Sequence, residues 1–291
     1  MTLDDDDARV PEFWRGLGLP GLIDMHVHFM PPRLLRRVWA YFDAAGPLIG
    51  RTWPIRYRWS EADLLAYLRA LGVRTFTALA YPHKPGMARS LNDWTLDFAA
   101  RTPGCVPTAT LFPEPDAEAY VRAALDRGAR VFKVHLQVGG FDPRDPLLDA
   151  VWGTLAEAGA PVVVHAGSGP VAAGFTGPGP FGDVLARHPR LTAVIAHLGA
   201  PEFDGFFALA DRYDRVHLDT TMIFTSASLN VFPAELLPRL RALGLAGRIV
   251  LGTDFPNIPY AYAEQLTALA RLDFGDEWLR EVCWTAPARL L

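Results

Sequence analysis

The chain has 291 residues, half of them hydrophobic, and 28 basic residues against 32 acidic ones give a net charge of −4. That size and apolar content suit a soluble globular protein with a core needing no staples, and scattered basic residues exclude nucleic acid as the main partner. Two distant cysteines, Cys105 and Cys283, exclude a disulfide framework and a thiolate zinc site, while the absence of an apolar run of about 18 residues or of a secretory leader points away from a membrane and toward the cytoplasm.

In chain order, the acidic run at residues 4–7 reads as a solvated tail, and the first strand follows at 22–28. Seven more apolar runs read as strands, at 73–80, 105–111, 129–136, 161–165, 191–197, 215–219 and 248–254. Amphipathic stretches separate them. The first, over 60–71, opens on an N-cap Ser60 and closes at Gly72, and others fall near 87–101, 116–127, 146–158, 181–188, 202–211, 234–243 and 260–272. Eight strand-helix units predict an α/β chain folded as a single (β/α)8 barrel over residues 1–291, with no internal domain boundary. Residues 30–58 are too many for a simple βα loop and too aromatic for a linker, so they read as an insertion after the first strand that covers the barrel mouth. The Gly- and Pro-rich stretch 166–180 reads as a second, mobile cover.

The polar residues fall at strand ends. In the run Asp24-Met25-His26-Val27-His28, strand alternation puts Asp24, His26 and His28 on one face, so two imidazoles can grip one metal ion. Lys133 and His135 then end the fourth strand, His165 the fifth, His197 the sixth and Asp254 the eighth. Barrel enzymes build their sites from these C-terminal ends, so the seven side chains are expected to converge on one cavity. Any one histidine alone reads as an ordinary half-buried, hydrogen-bonded side chain. The set does not, because apolar strands ending repeatedly in imidazole or carboxylate would bury polar groups at considerable cost unless something bound there.

Four motifs carry a resemblance to a known family: Asp24-Met-His26-Val-His28, Val164-His165-Ala-Gly, Ala196-His197-Leu-Gly and Gly252-Thr-Asp254-Phe-Pro256. In this order and spacing they resemble the amidohydrolase superfamily, in its amidohydrolase-related branch, over nearly the whole chain. The resemblance implies a distorted (β/α)8 barrel with one divalent metal held by His26, His28, His165 and Asp254, and acid/base work shared by Asp254 and His197. It also implies lactone or amide hydrolysis, non-oxidative decarboxylation or hydration. The closing segment from Trp284 resembles the family's last helix, with Thr285-Ala-Pro in place of a more usual Asn-Ala.

Physical chemistry supports the same reading. Imidazole nitrogen and carboxylate oxygen suit zinc, or manganese, and an open coordination position lowers the pKa of a bound water toward about 7. Asp254 is then placed to take a proton and His197 to polarise or protonate the departing group, unless His197 is itself a ligand or a prop for one. Lys133 is one of two lysines among 28 basic residues and sits inside an apolar strand. It can bind a substrate carboxylate or carbonyl, bridge two metals once carboxylated, or form a structural ion pair, the first being preferred. With His135 on the same face, the substrate-binding candidates include Arg51 and Arg56 in the cover and Tyr81 past the second strand; His83, Met222 and Phe224 are further lining candidates. Guanidinium and aromatic groups in the cover suit an anionic, unsaturated or aromatic small molecule.

Three enzymatic readings remain open. The leading one is a metal-dependent hydrolase opening a lactone, ester or amide. A decarboxylase resembling the aminocarboxymuconate-semialdehyde decarboxylase family is the runner-up, and a lactonase resembling the metal-free 2-pyrone-4,6-dicarboxylate family is the third. A barrel that only binds a metal or metabolite is the non-catalytic alternative, and a homodimer is the expected assembly.

Overall fold

The structure, a computed structural model, describes residues 2–291. Its strands among those residues are β1 (Leu22–Asp24), β2 (Val73–Thr77), β3 (Cys105–Val106), β4 (Thr108–Thr110), β5 (Val131–His135), β6 (Val162–His165), β7 (Ala193–Ile195), β8 (Val216–Asp219) and β9 (Ile249–Val250). The chain divides into two compact units, one made of residues up to 76 together with 220–290, the other of residues 77–219.

In the second unit, β4 through β8 pair with one another in sequence, every pair parallel. Parallel neighbours need a crossover, and the helices Ala117–Asp126, Pro146–Ala158, Pro178–Arg187 and Phe203–Arg212 supply one after each of β4 to β7. Strands covered on both faces read as unbroken apolar runs, and Val162, Val163 and Val164 are all fully buried. The register of β5 and β6 sets His135 level with His165, so the two imidazoles leave the sheet side by side. Helix Pro146–Ala158 starts on an N-cap Asp145 that accepts the Leu147 N–H at 2.9 Å and stops at Gly159, whose φ of 66° a side chain would disfavour. The strand expected over 105–111 is split, because Pro107 has no N–H to pair; its carbonyl instead accepts the Arg130 N–H at 2.8 Å.

In the first unit, β1 and β2 pair in parallel. The helix Glu61–Leu71 between them is capped as expected: Ser60 Oγ accepts the Asp63 N–H at 3.2 Å, and Gly72 ends the helix at φ 89°. The first strand proper stops at Asp24, short of the expected residue 28. Beyond it the chain remains extended and is tied to 251–255, with Met25 N–H to the Leu251 carbonyl at 2.9 Å and a bridge from Val27 to Phe255. Residues 30–58, the insertion expected after the first strand, contain two helices, Pro32–Ala44 and Gly46–Ile49. They are stitched down by Trp53 Nε1–H to the Asn257 carbonyl at 2.8 Å, Trp39 Nε1–H to Asn257 Oδ1 at 3.1 Å and Arg56 N–H to the Ile258 carbonyl at 2.9 Å.

The acidic run at residues 4–7 corrects the reading of a solvated tail. Asp7 is fully buried, and its carboxylate accepts the hydroxyls of Tyr57 at 2.6 Å and Tyr67 at 2.8 Å and the Ala263 N–H at 2.7 Å. Asp4 and Asp6 each pair with Arg56 Nη2 at 2.7 Å. A run of like charges is solvated only when nothing nearby donates to it, and here three elements of the same unit do. No helix among the described residues is long and apolar enough to cross a membrane.

Candidate active site

The first unit brings His26, His28 and Asp254 together, all buried and with their ligand atoms within 4.8 Å of one another. Asp254 Oδ1 lies 2.6 Å from His28 Nε2 and 3.5 Å from His26 Nε2. The backbone makes this possible. Asp254 lies past the end of β9 at φ 68°, a left-handed conformation that costs an ordinary residue roughly 1–2 kcal/mol and that Asp tolerates better than most. Its N–H donates to the His26 carbonyl at 2.8 Å, and the His28 N–H donates to the Phe255 carbonyl at 2.8 Å, so the two segments bearing these side chains fix each other.

Asp24 organises the same segments from beneath. This fully buried carboxylate accepts the His26 N–H at 3.1 Å, the Thr253 hydroxyl at 2.6 Å and the Tyr262 hydroxyl at 2.9 Å. One side chain therefore holds the residue before Asp254 and the backbone of His26. Burial, with the Asp24 charge next in importance, pushes the Tyr262 phenol well up, so it remains a donor.

A divalent ion fits the donor set. Nitrogen and oxygen ligands about 2 Å from a tetrahedral ion stand roughly 3.3 Å from one another. The 3.5 Å separation of His26 from Asp254 already matches, and the 2.6 Å contact of His28 needs to open by about 0.7 Å to reach that separation.

The second unit gathers three more imidazoles. His135 and His165 stack nearly parallel, 10° apart with centroids 4.0 Å apart, and the His197 ring stands 4.8 Å beyond His165. Their protonation can be read from partners. His165 Nε2 faces the Gly169 carbonyl at 3.0 Å; a carbonyl only accepts, so Nε2 carries a proton. His135 Nδ1 accepts the Val138 N–H at 3.3 Å, which puts its proton on Nε2. His197 lies past the end of β7, in a 3-10 turn at φ 55° followed by Leu198 at φ 53°, and its N–H donates to Asp219 Oδ1 at 2.9 Å.

The remaining expected residues are placed as follows. Lys133 is buried in β5, with its carbonyl accepting the Thr110 hydroxyl at 2.7 Å. The half-buried Tyr81 ring stands 4.9 Å from His135. Arg51 is exposed and donates from Nη1 to the Ser226 carbonyl at 3.1 Å, whereas the Arg56 guanidinium is taken up by Asp4 and Asp6. Sequence reasoning missed Asp219, although a carboxylate ending the apolar strand 215–219 is the same signal that singled out Asp254. Asp24 is read from the sequence as sharing the His26 face and as a possible ion-pair partner of Lys133, not as the support of the His26 backbone. Its place two residues before His26 on the same face was the available sign.

Among comparisons with known proteins, the amidohydrolase family model matches residues 23–291. No curated protein matches the chain. An uncharacterized TIM-barrel protein from Bordetella bronchiseptica is similar at a TM-score of 0.73 and 19% identity, covering 93% of this chain and 98% of the other. A 2,6-dihydroxybenzoate decarboxylase solved with 2,6-dihydroxybenzoate is similar at 0.64 and 18%, covering 94% and 99%. A probable 2-pyrone-4,6-dicarboxylic acid hydrolase from Acinetobacter baumannii, with citric acid bound, is similar at 0.61 and 13%, covering 93% and 98%. These likenesses show the fold, the (β/α)8 barrel expected from the alternating strands and helices. With the match over residues 23–291, the chain belongs to the amidohydrolase family.

Proposed function

We propose that this amidohydrolase-family enzyme is a metal-dependent hydrolase that opens a lactone, ester or amide bond in a small carboxylated or aromatic molecule. The observation that supports it most is the convergence of His26 Nε2 and His28 Nε2 on a single oxygen of Asp254. In this reading His165, whose Nε2 is taken up by the Gly169 carbonyl, joins those three residues through Nδ1 in holding one zinc or manganese ion. Such an ion supplies Lewis-acid polarisation and lowers the pKa of an adjacent water toward about 7. Asp254 accepts the proton of the attacking water as its oxygen bonds to the carbonyl carbon, and His197 donates a proton to the departing oxygen or nitrogen. Lys133, His135, Arg51 and Tyr81 bind the substrate's carboxylate or ring, with Arg56 left out because two carboxylates already occupy it.

Likeness to a 2,6-dihydroxybenzoate decarboxylase favours a second reading. There the same residues hold an aromatic acid, and a protonated side chain delivers H⁺ to the carbon that loses CO₂. Purified protein, stripped by chelation and reloaded with zinc or manganese, separates the two on a panel of carboxylated lactones, esters, amides and hydroxybenzoates. Hydrolysis is supported by metal-dependent acid release without gas. Metal-dependent CO₂ evolution from the aromatic acids overturns it in favour of decarboxylation, and full activity after chelation overturns the metal in both.

A further inference from the structure

Glu202 stands five residues after His197, at the threshold of helix Phe203–Arg212, yet its carboxylate does not cap that helix. It reaches instead to the loop that follows β6. There it accepts the Ser168 N–H on Oε2 at 3.0 Å and the Ser168 hydroxyl on Oε1. Ser168 is 8% exposed, so both of its donors depend on this one acceptor group. The two loops also touch through their backbones. A Cβ on Gly167 would lie 2.2 Å from the Ala200 carbonyl oxygen, an approach only glycine permits. The residue after Ser168 is Gly169, whose carbonyl receives the Nε2–H of His165 at 3.0 Å. A continuous path thus runs from Glu202 through Ser168 and the Gly169 carbonyl to the ring of His165.

We propose that Glu202 is a positioning residue: by clamping Ser168 it fixes the Gly169 carbonyl, which keeps the His165 proton on Nε2 and presents Nδ1 as the electron-pair donor. A carboxylate gripping an N–H and an O–H at once makes two charge-assisted hydrogen bonds, stronger and more directional than neutral ones. The same clamp joins the loop bearing His165 to the turn bearing His197, so a change at Glu202 acts on both histidines while touching neither. The consequence for metal binding rests on His165 being a ligand, as proposed above. The clamp itself does not.

Long-range ¹⁵N–¹H spectra of the histidine rings in chelator-treated protein test the clamp directly. Wild type is expected to show His165 as the Nε2–H tautomer, and Glu202→Ala a mixture of the two tautomers. Glu202→Gln is expected to restore the single tautomer, because its amide oxygen can accept the Ser168 N–H while its NH₂ donates to the hydroxyl, which turns to accept. Titration with Co²⁺ reads the consequence. Glu202→Ala is expected to bind about 10- to 100-fold more weakly, as is usual when the support of a metal-binding histidine is removed, with an altered visible absorption spectrum. Should Glu202→Ala fail to fold, Ser168→Ala, which deletes only the hydroxyl half of the clamp, is expected to show the same mixture in smaller proportion. A wild-type tautomer in both alanine variants overturns the proposal. Wild-type protein that binds no Co²⁺ overturns the ligand role of His165 instead, and the tautomer spectra then decide the clamp alone.

Discussion

Replacing Asp7 by alanine tests whether the N-terminal segment is part of the fold. The carboxylate is fully buried and is the acceptor for Tyr57 Oη, Tyr67 Oη and Ala263 N. Burial, reinforced by the Asp7 charge, pushes both phenols up, so they are donors throughout the ordinary pH range. A buried donor deprived of its acceptor costs about 1–3 kcal/mol, and water entering the vacated space recovers part of it, which gives a loss of about 3–5 kcal/mol for the three together. At this chain length roughly 2 °C of midpoint corresponds to each kcal/mol, so the thermal midpoint is expected to fall by about 6–10 °C. The pH dependence carries a second signature. Burial raises the Asp7 carboxyl, and the two hydroxyls and the Ala263 N–H pull it back only in part. An acid raised in the folded state binds more protons folded than unfolded, so its titration contributes stability that is fully present below the unfolded value of about 4 and is lost as pH rises through the folded value. The gap between wild type and Asp7→Ala is therefore wider near pH 4 than near pH 7, the titrations of all other carboxylates being common to both proteins. Melting curves followed by tryptophan fluorescence at both pH values measure this. A midpoint drop under about 2 °C, or a gap that widens toward neutral pH, would refute the account of Asp7 as a buried clamp.

His165→Ala is expected to lose metal and activity together, and His197→Ala to keep the metal and lose turnover, because only a ligand sets occupancy; elemental analysis beside rate measurement distinguishes them. Asp254→Asn keeps an oxygen ligand and a side chain that tolerates φ 68°, so metal is expected to be partly retained while the rate falls by about 10² to 10⁴; an Asn variant that is fully loaded and within a few-fold of wild type removes Asp254 from proton transfer. Purified protein is expected to carry about one divalent ion per chain; two by elemental analysis would indicate a bridging, carboxylated Lys133.

The strand-helix alternation was legible because runs such as Val162–Val164 are buried on both faces and the helices between strands carry an apolar stripe. Cap chemistry was legible too, as at Ser60 and Gly72. What periodicity could not reveal is where a strand stops while its extended course continues. His26, His28, His197 and Asp254 all lie beyond the last residue of their strands, and two of them adopt positive φ. Hydropathy runs on through such residues, since an apolar neighbour is buried whether or not its backbone joins a ladder. The misread acidic run has the opposite cause. Its donors, Tyr57, Tyr67, Arg56 and the Ala263 N–H, are at least 50 residues away in the chain, beyond the reach of any local pattern.

The histidines and their supports differ in legibility for one physical reason. An imidazole at the end of an apolar run contradicts its surroundings, and the contradiction is visible in the sequence alone. Asp24 and Glu202 contradict nothing nearby, since one precedes a histidine motif and the other begins a helix where acids are ordinary, while Asp219 ends an apolar strand with the same contradiction as Asp254. Each nevertheless accepts a backbone N–H in one of the histidine-bearing segments or the loop beside it, from His26, His197 and Ser168 respectively. An imidazole offers its lone pair in a useful direction only when the backbone beneath it is fixed. In this chain carboxylates do that fixing, from positions two to 34 residues away, which is why the candidate histidines could be picked out residue by residue while their scaffolding required the fold.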